Sequence, residues 1–153
     1  MGRIYTITSN ADLSISAAKE LLAFKVPANK VVRLLRAKWT PSTSEDSKQL
    51  ATRIGKLTAD VAAGTAVTEV LKHDPTDAGD ALTNLWQDGT LGTVAADGLV
   101  DQHADDQRVG YSYHPTPEEL VTFVSGDVIG MGLLEAPSAA ITLRPLMIVE
   151  VIG

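Results

Sequence analysis

The stretch ITLRPLMIVEVI, residues 141–152, constrains the fold of this chain more than any other segment. Alternate residues of a β-strand point to opposite faces of a sheet, so the stretch divides into two sides. One side consists of Ile141, Leu143, Met147, Val149 and Val151. The other side consists of Thr142, Arg144, Leu146, Ile148, Glu150 and Ile152. Because both sides are largely apolar after residue 145, we expect one to face the core and the other a second subunit.

Proline and glycine in this region predict local geometry. Pro145 has no backbone N–H to donate, so we expect it at an edge position or a bulge. In the preceding segment, Gly130 and Gly132 share a face. Such a pair indicates close packing by a bulky neighbour, a bend or another chain, and the bend is the favoured interpretation.

Short segments rich in β-branched and apolar residues alternate with turn residues along the rest of the chain. The predicted strands are 3–8, 21–26, 30–39, 49–60, 66–71, 82–87, 93–100, 120–124 and 127–135, besides 141–152. We expect a helical turn near 16–20, a loop over 40–48, an acidic loop over 101–106 and a hairpin turn over 125–127. This pattern predicts an all-β fold, a single-domain, jelly-roll-like β-sandwich with long loops over 1–153.

Composition narrows the classes of partner. The chain has 153 residues and no cysteine, which excludes disulfides and thiol chemistry. Its net charge is -6, and the basic residues Lys30, Arg33, Arg36 and Lys38 are expected to divide between the two faces of their strand. We therefore expect no nucleic-acid partner. The first ten residues are too polar for a signal peptide, and no apolar run is long enough to cross a bilayer, so no membrane partner is expected either.

Candidate chemical groups are few. The histidines His73, His103 and His114 lack the spacing of a metal pair, and no nucleophile motif is present. The segments 74–80 and 101–106 are acidic: the first contains Asp74, Asp77 and Asp80, and the second Asp101, Asp105 and Asp106. Asx-turns account for the first and a solvated loop for the second, although a cation could bind at either. We expect no enzyme, no cofactor and no metal.

Three stretches carry a resemblance to a known group of proteins. They are RIYTIT (3–8), GTAVTEVLKHDPTDAGDA (64–81) and GYSYHPTPEELVTFVSGDVIGMGLLEAPSAAITLRPLMIVEVIG (110–153). Together they resemble the small virion structural proteins of tailed bacteriophages and prophages. The resemblance implies a head decoration, or cement, protein: a β-sandwich that sits as a trimer on the outer surface of the capsid. It implies the major capsid protein as partner, a place on the virion surface, and synthesis in the host cytoplasm.

Two alternatives to a cement protein stay open from the sequence. A tail, connector or fibre component could use the same sandwich, and so could a jelly-roll module that binds a ligand or metal through its acidic residues. For the virion protein, we expect the subunit or capsid interface to use apolar residues of the first and last strands. These residues are Ile4, Tyr5, Leu146, Ile148 and Ile152.

Overall fold

The computed structural model describes residues 2–43, 46–76, 82 and 84–153. These residues form thirteen strands: β1 (Arg3–Thr8), β2 (Leu13–Ile15), β3 (Lys19–Lys25), β4 (Val31–Thr43), β5 (Gln49–Leu57), β6 (Thr65–Ala66), β7 (Val70–Lys72), β8 (Leu85–Gly89), β9 (Val94–Asp106), β10 (Tyr111–Tyr113), β11 (Thr122–Val124), β12 (Val128–Leu133) and β13 (Ile141–Ile152). One 3-10 helix spans Pro117–Glu119. No helix in the described ranges has the length and apolarity needed to cross a membrane.

The strands form two antiparallel sheets. Sheet A has the order β10-β4-β13-β1-β7, with β11 also pairing with β4 and β2 with β13. Sheet B has the order β6-β8-β3-β12-β5-β9. A continuous cluster of buried apolar side chains from both sheets fills the space between them, and the Trp39 indole donates a buried hydrogen bond of 2.9 Å from sheet A to Thr52 Oγ1 in sheet B. The predicted all-β, single-domain sandwich is therefore confirmed.

Strand β13 lies in the middle of sheet A and behaves as its alternation predicts. The side that begins at Ile141 is buried, and the side that begins at Thr142 is half-buried or exposed. One flank pairs with β4; the other pairs with β2 over its first residues and with β1 from Leu146 onward. Pro145 lies in the gap between β2 and β1, and its carbonyl accepts a hydrogen bond of 3.0 Å from the Thr8 hydroxyl on that flank. The missing N–H falls where no ladder bond is available, so Pro145 fits a central strand without the predicted edge or bulge.

A bulge in β4 changes which of its side chains face outward. Ile148 pairs with Arg36 and Val149 with Leu34, so Leu35 is an extra residue with no partner of its own. An extra residue reverses the alternation beyond it. Val32 and Leu34 are buried before the bulge, and Ala37 and Trp39 after it. The expected division of the basic residues between two faces is therefore wrong.

Several local predictions are corrected by pairing between distant segments. The helical turn near 16–20 is wrong, because Lys19 and Glu20 already belong to β3 and pair with β12. The loop over 40–48 begins later than expected, since β4 continues to Thr43 beside β13. The acidic loop over 101–106 is wrong as well, because these residues pair with β5 as part of β9.

The predicted hairpin over 120–135 is a crossing between sheets. Strand β11 pairs with β4 in sheet A, whereas β12 pairs with β3 and β5 in sheet B. The turn that joins them contains Gly126 at a φ of 88°, a conformation that glycine adopts without strain. Strands consecutive in sequence thus contribute to opposite layers of the sandwich.

The outer face of sheet B is covered by its own loops. A second buried cluster of Ala23, Leu57, Val61 and Val128 lies there, with Trp86 and Val94 packed against it. Beside it, the guanidinium of Arg53 and the carboxylate of Glu20 form two hydrogen bonds of 2.9 Å each. Arg53 donates to the Gly92 carbonyl at 2.8 Å, and the Gly92 N–H donates to Glu20 at 3.0 Å, so the ion pair also holds the loop that follows β8.

Gly130 and Gly132 provide the space for this ion pair. A Cβ on Gly130 would collide with the Glu20 carboxylate, and one on Gly132 would meet Leu91 at 2.7 Å and Arg53 at 3.1 Å. The sequence offers a bulky neighbour, a bend or another chain as the reason for these glycines. The structure shows a bulky neighbour, the Glu20–Arg53 ion pair. A register shift next to Gly132 adds a local irregularity.

Candidate interaction surface

The outer face of sheet A is open where that of sheet B is covered. We use the name open face for its outward-pointing side chains, which are Ile4, Thr6, Thr8, Arg33, Arg36, Lys38, Leu71, Arg144, Leu146, Ile148, Glu150 and Ile152. Neither buried apolar cluster of the described chain includes any of them. Leu71 is 67% exposed, and the apolar side chains of β13 on this face are half-buried.

Four of the five predicted interface residues lie on the open face. Ile4 is directly opposite Glu150, Leu146 is opposite Thr8, and Ile148 is opposite Thr6. Ile152 lies at the end of the same side of β13. Tyr5 points the other way: it is 1% exposed in the core, so its side chain offers no surface to a partner. Whether the four outward residues form an interface stays a prediction.

The basic residues of β4 give this face its charge. Arg33, Arg36 and Lys38 pair in register with Glu150, Ile148 and Leu146, which places all three on the open face. Arg33 lies 3.5 Å from the Glu150 carboxylate. Within the described ranges, Arg36 and Lys38 have no ion pair, and the Nε of Arg36 is buried without a hydrogen-bond partner. Unpaired cations of this kind have capacity for carboxylates from another surface.

The charged part of the open face could not be identified by alternation alone. The sequence shows four basic residues near β4, but strict alternation divides them between two faces. Only the bulge at Leu35 brings Arg33 to the same side as Arg36 and Lys38. Leu71 escapes prediction for another reason: the single strand predicted over 66–71 is two short strands, β6 and β7, and β7 has too few residues for an alternation pattern.

A second polar cluster occupies the edge of the sandwich where β9 faces β10. His103 lies between two carboxylates, with Nδ1 at 2.9 Å from Asp101 and Nε2 at 2.9 Å from Asp105. The Tyr111 hydroxyl donates to Asp101 at 2.5 Å, and the Tyr111 ring lies 4.6 Å from the imidazole. Burial and the charge of Asp101 raise the pKa of Tyr111 well above its usual range, so this phenol stays neutral.

The cluster borders a cleft of about 460 Å³ between the two sheet edges. Its polar lining includes Asp101, His103, Tyr113, His114 and Glu119. Burial, followed by the charges of Asp101 and Glu119, raises the pKa of Tyr113. In the part of the chain that the structure describes, no group of three or more metal-ligating side chains is arranged to hold an ion.

The acidic segment 74–80 is described only in part. Asp74 accepts hydrogen bonds from the backbone N–H of Thr76 at 2.9 Å and from its hydroxyl at 2.7 Å. These bonds form the predicted Asx-turn and lower the pKa of Asp74. Asp77 and Asp80 lie outside the described residues. His73, at the start of the segment, is 2.8 Å from the Thr6 hydroxyl on the open face.

Comparison with known proteins adds no relative: no protein-family model, curated protein or solved structure matches this chain.

Proposed function

We propose that the protein is a non-enzymatic structural subunit of a tailed-phage virion, a capsid decoration protein that acts as a homotrimer on the major capsid protein. The proposal rests on two supports. One is the resemblance of the three quoted stretches to small virion proteins. The other is a single structural observation, the contrast between the two outer faces of the sandwich.

That contrast identifies a surface suited to protein contacts. Sheet B covers its outer face with its own loops, a buried apolar cluster and an ion pair. Sheet A leaves partly exposed apolar side chains beside basic ones. An apolar centre with a charged margin is the usual composition of a protein interface. Decoration of a capsid requires such contacts and requires no catalytic group.

The two alternative functions are tested by different observations. A tail, connector or fibre subunit would use the same surface, and immunogold labelling of virions distinguishes it from a head protein. A ligand- or metal-binding module would use the cleft beside β9. Stoichiometric metal in the purified protein, lost on Asp105→Ala, would support that module and contradict the decoration protein.

The first prediction places two charges on the open face. Leu146→Asp with Ile148→Asp should weaken self-association by at least about tenfold, because each aspartate removes apolar contact and introduces a desolvated charge. Binding to undecorated heads should weaken with it, since the homotrimer is the form that binds. Co-sedimentation with purified heads measures the second effect, and light scattering on a sizing column the first.

The matched control is Ala62→Asp. Ala62 is exposed in the loop that follows β5, so its replacement introduces the same charge away from the open face and from β9. Both variants should retain the circular dichroism spectrum of the parent. A folded double variant that binds heads and self-associates like the parent would contradict the assignment of this face.

A further inference from the structure

The net charge of this protein is concentrated in one segment. Residues 94–127 contain seven carboxylates and a single arginine, so this segment accounts for the full net charge of -6. It comprises β9, β10, the 3-10 helix and β11, which together form one edge of the sandwich. We use the name acidic edge for five of its carboxylates, Asp97, Asp101, Asp105, Glu118 and Glu119, of which Asp101 and Glu119 line the cleft.

The open face has the opposite charge. It carries four basic side chains, those of Arg33, Arg36, Lys38 and Arg144. Arg33 lies 3.5 Å from the Glu150 carboxylate, and Arg144 lies 3.5 Å from the Asp12 carboxylate. Each surface also has charges without partners in the described ranges: Arg36 and Lys38 on the open face, and Asp97 and Glu118 on the acidic edge. The chain thus presents two complementary surfaces, each with charges available for a partner.

This arrangement determines which symmetry the chain can use to associate with itself. An isologous dimer through the open face would place the four basic residues of one copy against the same four of the other, a repulsive contact. A heterologous contact, between the open face of one copy and the acidic edge of the next, places unlike charges together. A heterologous contact builds a ring when its rotation closes and an open filament when it does not.

We propose that copies of this chain associate head to tail, with the open face of each copy receiving the acidic edge of the next. Arg36 and Lys38 pair with Asp97 and Glu118 of the neighbouring copy, and the apolar residues of β13 are covered in the same contact. This inference rests on the proposed function only in taking the partner to be a second copy. It adds which two surfaces meet and by what chemistry.

Charge reversal within one chain provides the test. Arg36→Glu with Lys38→Glu reverses the open face, and Asp97→Lys with Glu118→Lys reverses the acidic edge. Sedimentation velocity of the parent should give a mass of three copies of the 16.2 kDa chain, in agreement with the proposed homotrimer. Each double reversal should raise the dissociation constant at least about tenfold, and the quadruple variant should restore it, since its surfaces are complementary again.

Two control variants carry reversals elsewhere. Lys25→Glu changes a base at the end of β3 in sheet B, and Glu135→Lys changes an exposed acid beyond β12. Neither should alter the mass. Raising the salt concentration should weaken the parent ring, because partly exposed ion pairs are screened. Thermal melts of every variant establish that it is folded.

Four outcomes would overturn the inference. The first two concern the parent, which would stay monomeric up to about 1 mM or would sediment with the mass of a closed dimer. The third is a double charge-reversal variant that sediments with the mass of the parent. The fourth is a folded quadruple variant that stays monomeric. The mass measurement needs no capsid, so the two proposals fail separately. A parent ring that does not sediment with heads contradicts the decoration function and leaves the head-to-tail contact standing.

Discussion

Glu20 and Arg53 form an ion pair that is almost completely removed from water, with side chains 1% and 3% exposed. Both carboxylate oxygens and both terminal nitrogens of the guanidinium have hydrogen-bond partners. A buried charge is tolerated when its partner is present and becomes costly when that partner is removed. The pair therefore acts as a unit that holds β3, β5 and the loop around Gly92 together.

Single replacements of this pair should be more harmful than the double replacement. Arg53→Leu or Glu20→Leu alone should lower the free energy of unfolding by about 3–5 kcal/mol, because each leaves an uncompensated buried charge. The double leucine variant should be destabilised less than either single variant. Urea denaturation measures all three. Lys19→Ala, which breaks a half-exposed ion pair with Asp88, serves as the surface control and should cost about 1 kcal/mol or less.

The glycines beside this pair show what the sequence can predict at the residue scale. Gly130 and Gly132 indicate that something packs closely against one face of their strand. They do not indicate what packs there, because Glu20 belongs to a distant segment whose helix-forming residues favour a helical turn. Long-range pairing outweighs that local preference, and it also supplies the neighbour.

Tyr111 should make the protein sensitive to alkali. Burial and Asp101 raise the folded-state pKa of its phenol above the ordinary value of 10.0. The resulting stability is complete below that value and is lost as the pH rises above it, because only the unfolded chain releases the proton. From about pH 10 upward, the parent should lose unfolding free energy more steeply than Tyr111→Phe.

Denaturant titrations at a series of pH values provide this measurement. Tyr113→Phe is the matched control: the pKa of Tyr113 is also raised, but this side chain is less buried than Tyr111. Its variant should retain most of the alkaline slope. Equal slopes for the parent and Tyr111→Phe would show that Tyr111 is not the cause.

At the scale of elements, alternation predicts β13 and fails for β4. Both sides of β13 were assigned correctly, because its side chains keep one phase along all twelve residues. In β4 the phase is lost at Leu35, where the strand contains one residue more than its partner. Nothing in the local composition marks this residue as a bulge, since Leu35 is identical to the preceding Leu34. The bulge can be located only from the pairing register between β4 and β13.

Strand β9 shows a different limit of prediction. Its first half is predicted as a strand, whereas the polar residues 101–106 predict a loop, because a strand is recognised by apolar residues on at least one side. An edge strand pairs on one flank only and is often protected by inward-pointing charged residues. Asp101, His103 and Asp105 hold such positions, opposite Ile54, Thr52 and Leu50 of β5. The charges that suggest a loop are thus compatible with an edge strand.

On one flank of β13, Pro145 lies between the residues that pair with β2 and those that pair with β1, and this position determines how it can be replaced. Pro145→Ala should change the free energy of unfolding by less than about 1 kcal/mol, because the restored N–H points into the gap and the ring makes no ladder bond there. Met147→Pro should be far more harmful, since Met147 pairs with Ile7 on the same flank. Thermal unfolding of the two variants measures the difference. A large loss for Pro145→Ala would mean that the ring itself is needed.

At the scale of the whole molecule, the sequence predicts the sandwich better than the contrast between its two outer faces. Several short strands without a long helix indicate two packed sheets, and the structure has them. The contrast between a covered and an open face depends on loops that come from distant parts of the chain, such as the one held by Gly92. The charge asymmetry depends on the same assembly: it follows only when β4 and β9 are placed in their sheets.

The position of β13 also bears on how this protein folds as it is synthesised. Strand β13 separates β4 from β1 in sheet A, yet it is translated after both. Until residues 141–152 leave the ribosome, β1 and β4 have no shared neighbour, and sheet A cannot close over the core. Such a long-range topology favours slow folding. We therefore expect nascent chains to complete the sandwich only after the last strand emerges, with a need for chaperone protection until then.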